Sequence, residues 1–122
     1  MWQVGIVEDD PMVARFLARA MRLEGHAVHT WASGEAFLGE AVTLEVLIVD
    51  HDLPGCDGVE VIRAVHTRAH VPAVVMLTGR EQSGLRERAL EAGATVFVSK
   101  PITAEALIAC IERALQITHP EG

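Results

Sequence analysis

An alternation constrains the fold of this chain more than any other feature. Five short apolar runs, at residues 3–7, 27–31, 46–49, 73–77 and 96–98, are each followed by a stretch with apolar residues at helical spacing. Four of the runs are nearly continuous Val, Ile and Leu, as expected for strands buried on both faces of a parallel sheet. The second, His26-Ala27-Val28-His29-Thr30-Trp31, alternates and is predicted as an edge strand. Helix signals fall between the runs. Asp10 can cap a helix with Pro11 in its first turn, and Gly25 ends that helix after Leu23 and Glu24. Ser33 opens a short helix through Phe37 and Leu38, and residues 58–65 place Val59, Ile62 and Val65 on one face. A fourth helix is predicted over 82–92, ending at Gly93, and Thr103 caps a fifth bearing Leu107, Ile108, Ile111 and Leu115.

Strand followed by helix, five times over, implies a three-layer α/β domain. Right-handed crossovers leave few topologies, and the natural one is a five-stranded parallel sheet of order 2-1-3-4-5, the flavodoxin-like (β/α)5 arrangement. The domain is expected to span residues 1–118, with 119–122 as a short polar tail. In such sheets ligands lie beyond the carboxyl ends of the strands, which selects the residues to inspect.

Composition narrows the function classes. Half the residues are hydrophobic but only 4% are aromatic, so the core must be mostly Val, Leu, Ile and Ala. No apolar run approaches the ~20 residues that cross a bilayer, so no membrane association is expected. With no signal-like start and only Cys56 and Cys110, the cytoplasm is the expected location. The net charge of −7, without a basic run, argues against direct nucleic-acid binding. More telling is where the acids gather: Glu8-Asp9-Asp10, Asp50-His51-Asp52, and Asp57.

Reading off the strand ends gives Glu8 and Asp9 after the first, Asp50 after the third, Thr78 after the fourth and Lys100 after the fifth. In the order 2-1-3-4-5 these converge on one mouth. Two carboxylates ~4 Å apart repel by about 4 kcal/mol at an effective dielectric of 20, so the cluster needs raised pKa values or a cation. Lys100 supplies one positive charge, and a hard divalent ion balances the rest. Mg2+ suits one or two carboxylates plus a phosphate, and a carboxylate beside it can act as a nucleophile toward phosphorus. The phosphate-cradling patterns GxxxxGK[ST] and GxGxxG are absent, as is a GxSxG elbow.

Four segments, Val7-Glu8-Asp9-Asp10, Val49-Asp50-His51-Asp52-Leu53-Pro54-Gly55-Cys56-Asp57-Gly58, Leu77-Thr78-Gly79 and Val98-Ser99-Lys100-Pro101, together resemble the receiver domain of two-component response regulators (CheY-like) over essentially the whole chain. The resemblance implies a phosphorylation-dependent switch. Asp50 would be the phosphoacceptor, and Asp9 a direct ligand of Mg2+ (or Mn2+). Glu8 would be a ligand through water, and Asp52 would add its backbone carbonyl. Thr78 and Lys100 would bind the phosphoryl group, and the Lys100–Pro101 peptide would be cis. On activation Thr78 would move inward together with Phe97, an aromatic that lacks the hydroxyl of a tyrosine. Partners implied are a histidine kinase or phosphotransfer protein, and an effector at the fourth helix, fifth strand and fifth helix; a homodimer stays open. Gly79 departs from the family's usual Ala and Cys56 from its usual Met. Asp52 and Arg80 are expected to pair across the mouth and hinder an attacking water.

Plainer readings apply elsewhere. Asp10 is expected to cap, Asp57 to shape its turn, His51 to border the site or, more plainly, to lie at the surface, Phe16, Trp31 and Phe37 to be core or core edge, and Cys110 to pack in its helix. His66 and His70 lie four apart on a helix but lack a third metal ligand. His26 and His29 are expected on opposite faces of the edge strand. Leu90 and Phe97 offer a patch for a partner, or ordinary packing. The rival functions are an aspartyl-nucleophile phosphatase of haloacid-dehalogenase type, a receiver that only binds, and a flavin-binding protein. The first would have its nucleophile on the first strand and an acidic pair far downstream, the reverse of the order here.

Overall fold

The computed structural model describes residues 1–80 and 82–118. The elements follow in strict alternation: β1 (Gln3–Val7), α1 (Pro11–Leu23), β2 (Ala27–Trp31), α2 (Gly34–Leu38), β3 (Val46–Asp50), α3 (Gly58–Val65), β4 (Ala73–Thr78), α4 (Leu85–Ala92), β5 (Val96–Ser99) and α5 (Ala104–Thr118). The strands form one parallel sheet in the order β2-β1-β3-β4-β5. The five-stranded order 2-1-3-4-5 is therefore the observed one. The tail assigned to 119–122 lies outside the described residues.

Two cores explain why the central strands read as unbroken apolar runs. Val46 and Ile48 of β3 pack with α1 and α5, beside Val4, Ile6, Val75 and Leu77. Leu47 and Val49 of the same strand pack with α2, α3 and α4, beside Val7, Val74 and Met76. Each face of the pleat thus enters a dry layer, and a fully buried side chain of this size contributes about 1.5–3 kcal/mol. β2 lies at one edge and is half-exposed, as its alternation predicts. β5 lies at the other edge and is also only partly buried, although its sequence resembles an interior strand.

The caps follow the sequence closely. Asp10 accepts from Met12 N at 2.9 Å and Val13 N at 3.4 Å, Ser33 from Ala36 N at 3.0 Å, and Thr103 from Ala106 N at 3.1 Å. Asp57 and Glu60 form a reciprocal capping box at the start of α3. The fourth helix is shorter than expected. It begins at Leu85, not residue 82, because Gly84 takes a left-handed conformation at φ 80 that a helix cannot continue through.

Candidate functional site

The carboxyl ends of β1, β3, β4 and β5 meet at one mouth, and the parallel register places the site residues there. Ser99 pairs with Thr78, Asp50 with Leu77, and Val49 with Val7. Asp50 ends β3, the central strand, and is only 4% exposed; Glu8 follows β1 and is 3% exposed. One carboxylate oxygen from each of Glu8, Asp9 and Asp50 lies within 4.8 Å of the other two. Lys100 follows β5 and reaches across, donating from Nζ to Glu8 Oε1 at 2.7 Å. Its Nζ is also 2.9 Å from Asp50 Oδ1. That second contact is poorly angled for a hydrogen bond, so this buried oxygen keeps no aligned donor. Glu8 Oε2 accepts the Asp10 N–H at 3.2 Å, which ties the acid pair to the start of α1.

The charges are strained by burial. Desolvation pushes the Glu8 carboxyl up, and the neighbouring Asp50 charge adds to it; the Lys100 and Asp10 hydrogen bonds offset only part of the rise. Burial works against the Lys100 ammonium, but its bond to Glu8 and the attraction of Asp50 outweigh that, and its pKa is raised. One ammonium thus serves two buried carboxylates, with exposed Asp9 beside them. Three clustered carboxylate groups balanced by a single ammonium suit a hard, oxygen-seeking divalent ion such as Mg2+. Thr78, fully buried, uses its hydroxyl within the loop that follows it. Its Oγ1 donates to the Arg80 carbonyl at 2.7 Å and accepts the Arg80 N–H at 3.1 Å.

Residues 4–112 match the model of the response regulator receiver domain. The chain belongs to the response regulator receiver domain family. It is 31% identical over 121 residues to the transcriptional regulatory protein FixJ of Azorhizobium caulinodans, covering 98% of this chain and 57% of that protein. Similarity to the sensory transduction protein RegX3 of Mycobacterium tuberculosis reaches 36% over 118 residues, 95% of this chain and 52% of that one. The chain thus spans about half the length of these curated relatives. The chemotaxis protein CheY4 of Vibrio cholerae superposes with a TM-score of 0.88 at 25% identity, covering 93% of this chain and 98% of that one. Receiver domains of this family are phosphorylation-dependent switches of two-component signalling.

Within this receiver the remaining expectations divide. The Lys100–Pro101 peptide is cis. Phe97 is half-buried against the core, with the Arg86 guanidinium of α4 5.9 Å from its ring centroid. Asp52 and Arg80 do not form the expected pair: Asp52 Oδ1 instead lies 3.3 Å from His51 Nδ1, a contact that makes no hydrogen bond. His51 is not a surface residue but 8% exposed, because its N–H continues the β3–β4 ladder to Leu77 O at 2.8 Å and draws the residue inward. Trp31 and Phe37 are core, meeting edge to face with centroids 4.9 Å apart. Phe16 is 43% exposed and lines a cleft of about 530 Å3 with Met12, Leu77, Gly79 and Ile102. It belongs to the outer face of α1, whose inner face is taken by Leu17, Ala18, Ala20 and Met21.

His66 shares no metal cluster with His70 among the described residues; its Nδ1 pairs with Ile62 O at 3.0 Å. His26 precedes β2 and stacks on Trp2. No helix among the described residues is long and apolar enough to cross a membrane. One residue near the site has no local pattern to mark it. Glu35 of α2 accepts the Cys56 N–H of the β3–α3 turn at 3.1 Å, a contact spanning 21 residues that only the folded chain reveals.

Proposed function

We propose that Asp50 accepts a phosphoryl group from a phosphohistidine donor, a histidine kinase or phosphotransfer protein, and that the domain passes this state to an effector. The observation that carries the reading is the buried Asp50 Oδ1, without an aligned hydrogen-bond donor, beside Lys100 and the Glu8–Asp9 pair. A carboxylate oxygen of Asp50 attacks phosphorus, the bond to the donor nitrogen breaks, and its electron pair leaves with the imidazole. Glu8, Asp9, Asp50 and the Asp52 backbone carbonyl would hold Mg2+ or Mn2+, which supplies positive charge for the phosphoryl oxygens. Lys100 adds a second cation at the same mouth. Bound phosphoryl would also compete for the Thr78 hydroxyl, now donated to Arg80 O.

Redirecting that hydroxyl releases the Arg80 backbone and lets the β4–α4 loop follow Thr78 inward. Phe97, turning in the same sense, gives up its contact with Arg86, so the surface of α4, β5 and α5 changes shape. That surface is the proposed output face. The test is intact-mass analysis after incubation with a small acyl phosphate and Mg2+. One added phosphoryl in the wild type and none in Asp50→Asn is the expected result; equal labelling of both refutes the assignment. Steady release of phosphate from a phosphomonoester would favour the phosphatase reading instead.

A further inference from the structure

We propose that Glu35 is a positioning residue for the metal centre, acting through the turn between β3 and α3. The turn is held at its base, where His51 O accepts both Leu53 N at 3.0 Å and Gly58 N at 3.3 Å. Its far end is held by the Asp57–Glu60 capping box. The middle, Pro54-Gly55-Cys56, is tied to a different element by the Cys56 N–H donating to Glu35 Oε2 at 3.1 Å. Packing shows that α2 and the turn are built against each other. Gly55 has φ +74, and a Cβ there would collide with the same Glu35 carboxylate. A Cβ on Gly34, the neighbour of Glu35, would come within 3.0 Å of Cys56 O and 2.7 Å of Val61 Cγ2.

Asp52 sits between the base of the turn and this clamp. The inference rests on reading Glu8, Asp9 and Asp50 as the metal centre and the Asp52 carbonyl as its further ligand. A turn already ordered before the ion arrives spares the ion the cost of ordering it, which raises affinity without a new contact. Glu35 therefore tunes metal affinity from a helix that contributes no ligand. Because Glu35 is exposed, its replacement leaves the core intact.

The experiment compares wild type, Glu35→Ala and Glu35→Gln by Mn2+ titration, with free Mn2+ read by electron paramagnetic resonance. Exchange of the backbone amide hydrogens of Asp52, Leu53, Gly55 and Cys56 is followed in the metal-free proteins. Losing one hydrogen bond predicts a dissociation constant for Glu35→Ala raised about two- to tenfold. Faster exchange in the turn and unchanged exchange in β3 and β4 are expected alongside. Glu35→Gln keeps an acceptor oxygen and should behave as wild type. Equal affinity of wild type and Glu35→Ala overturns the inference while leaving the metal reading intact, and so does Glu35→Gln binding as weakly as Glu35→Ala. Failure of the wild type itself to bind Mn2+ refutes the metal reading, and this inference falls with it.

Discussion

Replacing Lys100 with methionine keeps the length of the side chain and removes its charge. In the metal-free protein this strips the partner from two carboxylates that are 3% and 4% exposed. At 2.7 and 2.9 Å each attraction is gross about 6 kcal/mol at an effective dielectric near 20, before desolvation is counted against it. The net loss is bounded more tightly, because a stranded carboxylate can take up a proton instead. From an ordinary value of 4.5, protonating Glu8 at pH 7 costs about 3.4 kcal/mol, at about 1.4 per pH unit. Lys100→Met should therefore lose about 3 kcal/mol at pH 7 and below about 1 kcal/mol at pH 5. The sign follows from proton counts. Glu8 in the folded mutant holds a proton that the unfolded chain has released, so stability falls as pH rises above 4.5. Urea denaturation in EDTA measures it, with a midpoint about 1–3 M lower than wild type at pH 7 for m-values usual in small domains. A loss of equal size at both pH values, or none at either, would refute the electrostatic account of the site.

Other expectations follow from the same geometry. The wild type in EDTA should keep its Lys100 contribution up to about pH 10.5 and lose it as pH rises through the raised folded value. Lys100 is the only lysine and there is no tyrosine, so absence of that loss from an alkaline urea series of Lys100→Met assigns it. Gly58→Ala would bring a Cβ to 2.6 Å from Asp50 O and 2.8 Å from Met76 Cε; overpacking of this kind costs about 1–3 kcal/mol by urea midpoint, and displacement of Asp50 should slow labelling by acyl phosphate. Gly79→Ala meets nothing within 4 Å and needs no positive φ, so stability should hold or rise by about 0.4–1 kcal/mol, with phosphorylation retained.

Much of this receiver could be read before folding, because its strongest signals are local. Continuous Val/Ile/Leu runs mark strands covered on both sides, and the observed strands lie within one residue of the runs. Caps at Asp10, Ser33 and Thr103 are written in residues adjacent to the helices they start, whereas Asp57, read as a turn residue, proves to cap α3 as well. The gathering of Glu8, Asp9, Asp50, Thr78 and Lys100 was legible because parallel βα units send every strand's carboxyl end to the same side. Local composition misjudged β5, since burial of an edge strand depends on what lies beside it and not on its own residues.

Tertiary structure decided the pairings. Lys100 lies 92 residues from the Glu8 carboxylate it bonds, and no pattern shows that its ammonium is committed there and leaves Asp50 Oδ1 without an aligned donor. Nor could spacing show that Asp52 turns to His51 and not to Arg80, or that Glu35 holds the β3–α3 turn. A side chain's rotamer and partner answer to distances set by every layer of the fold. The alternation of elements answers only to neighbours along the chain.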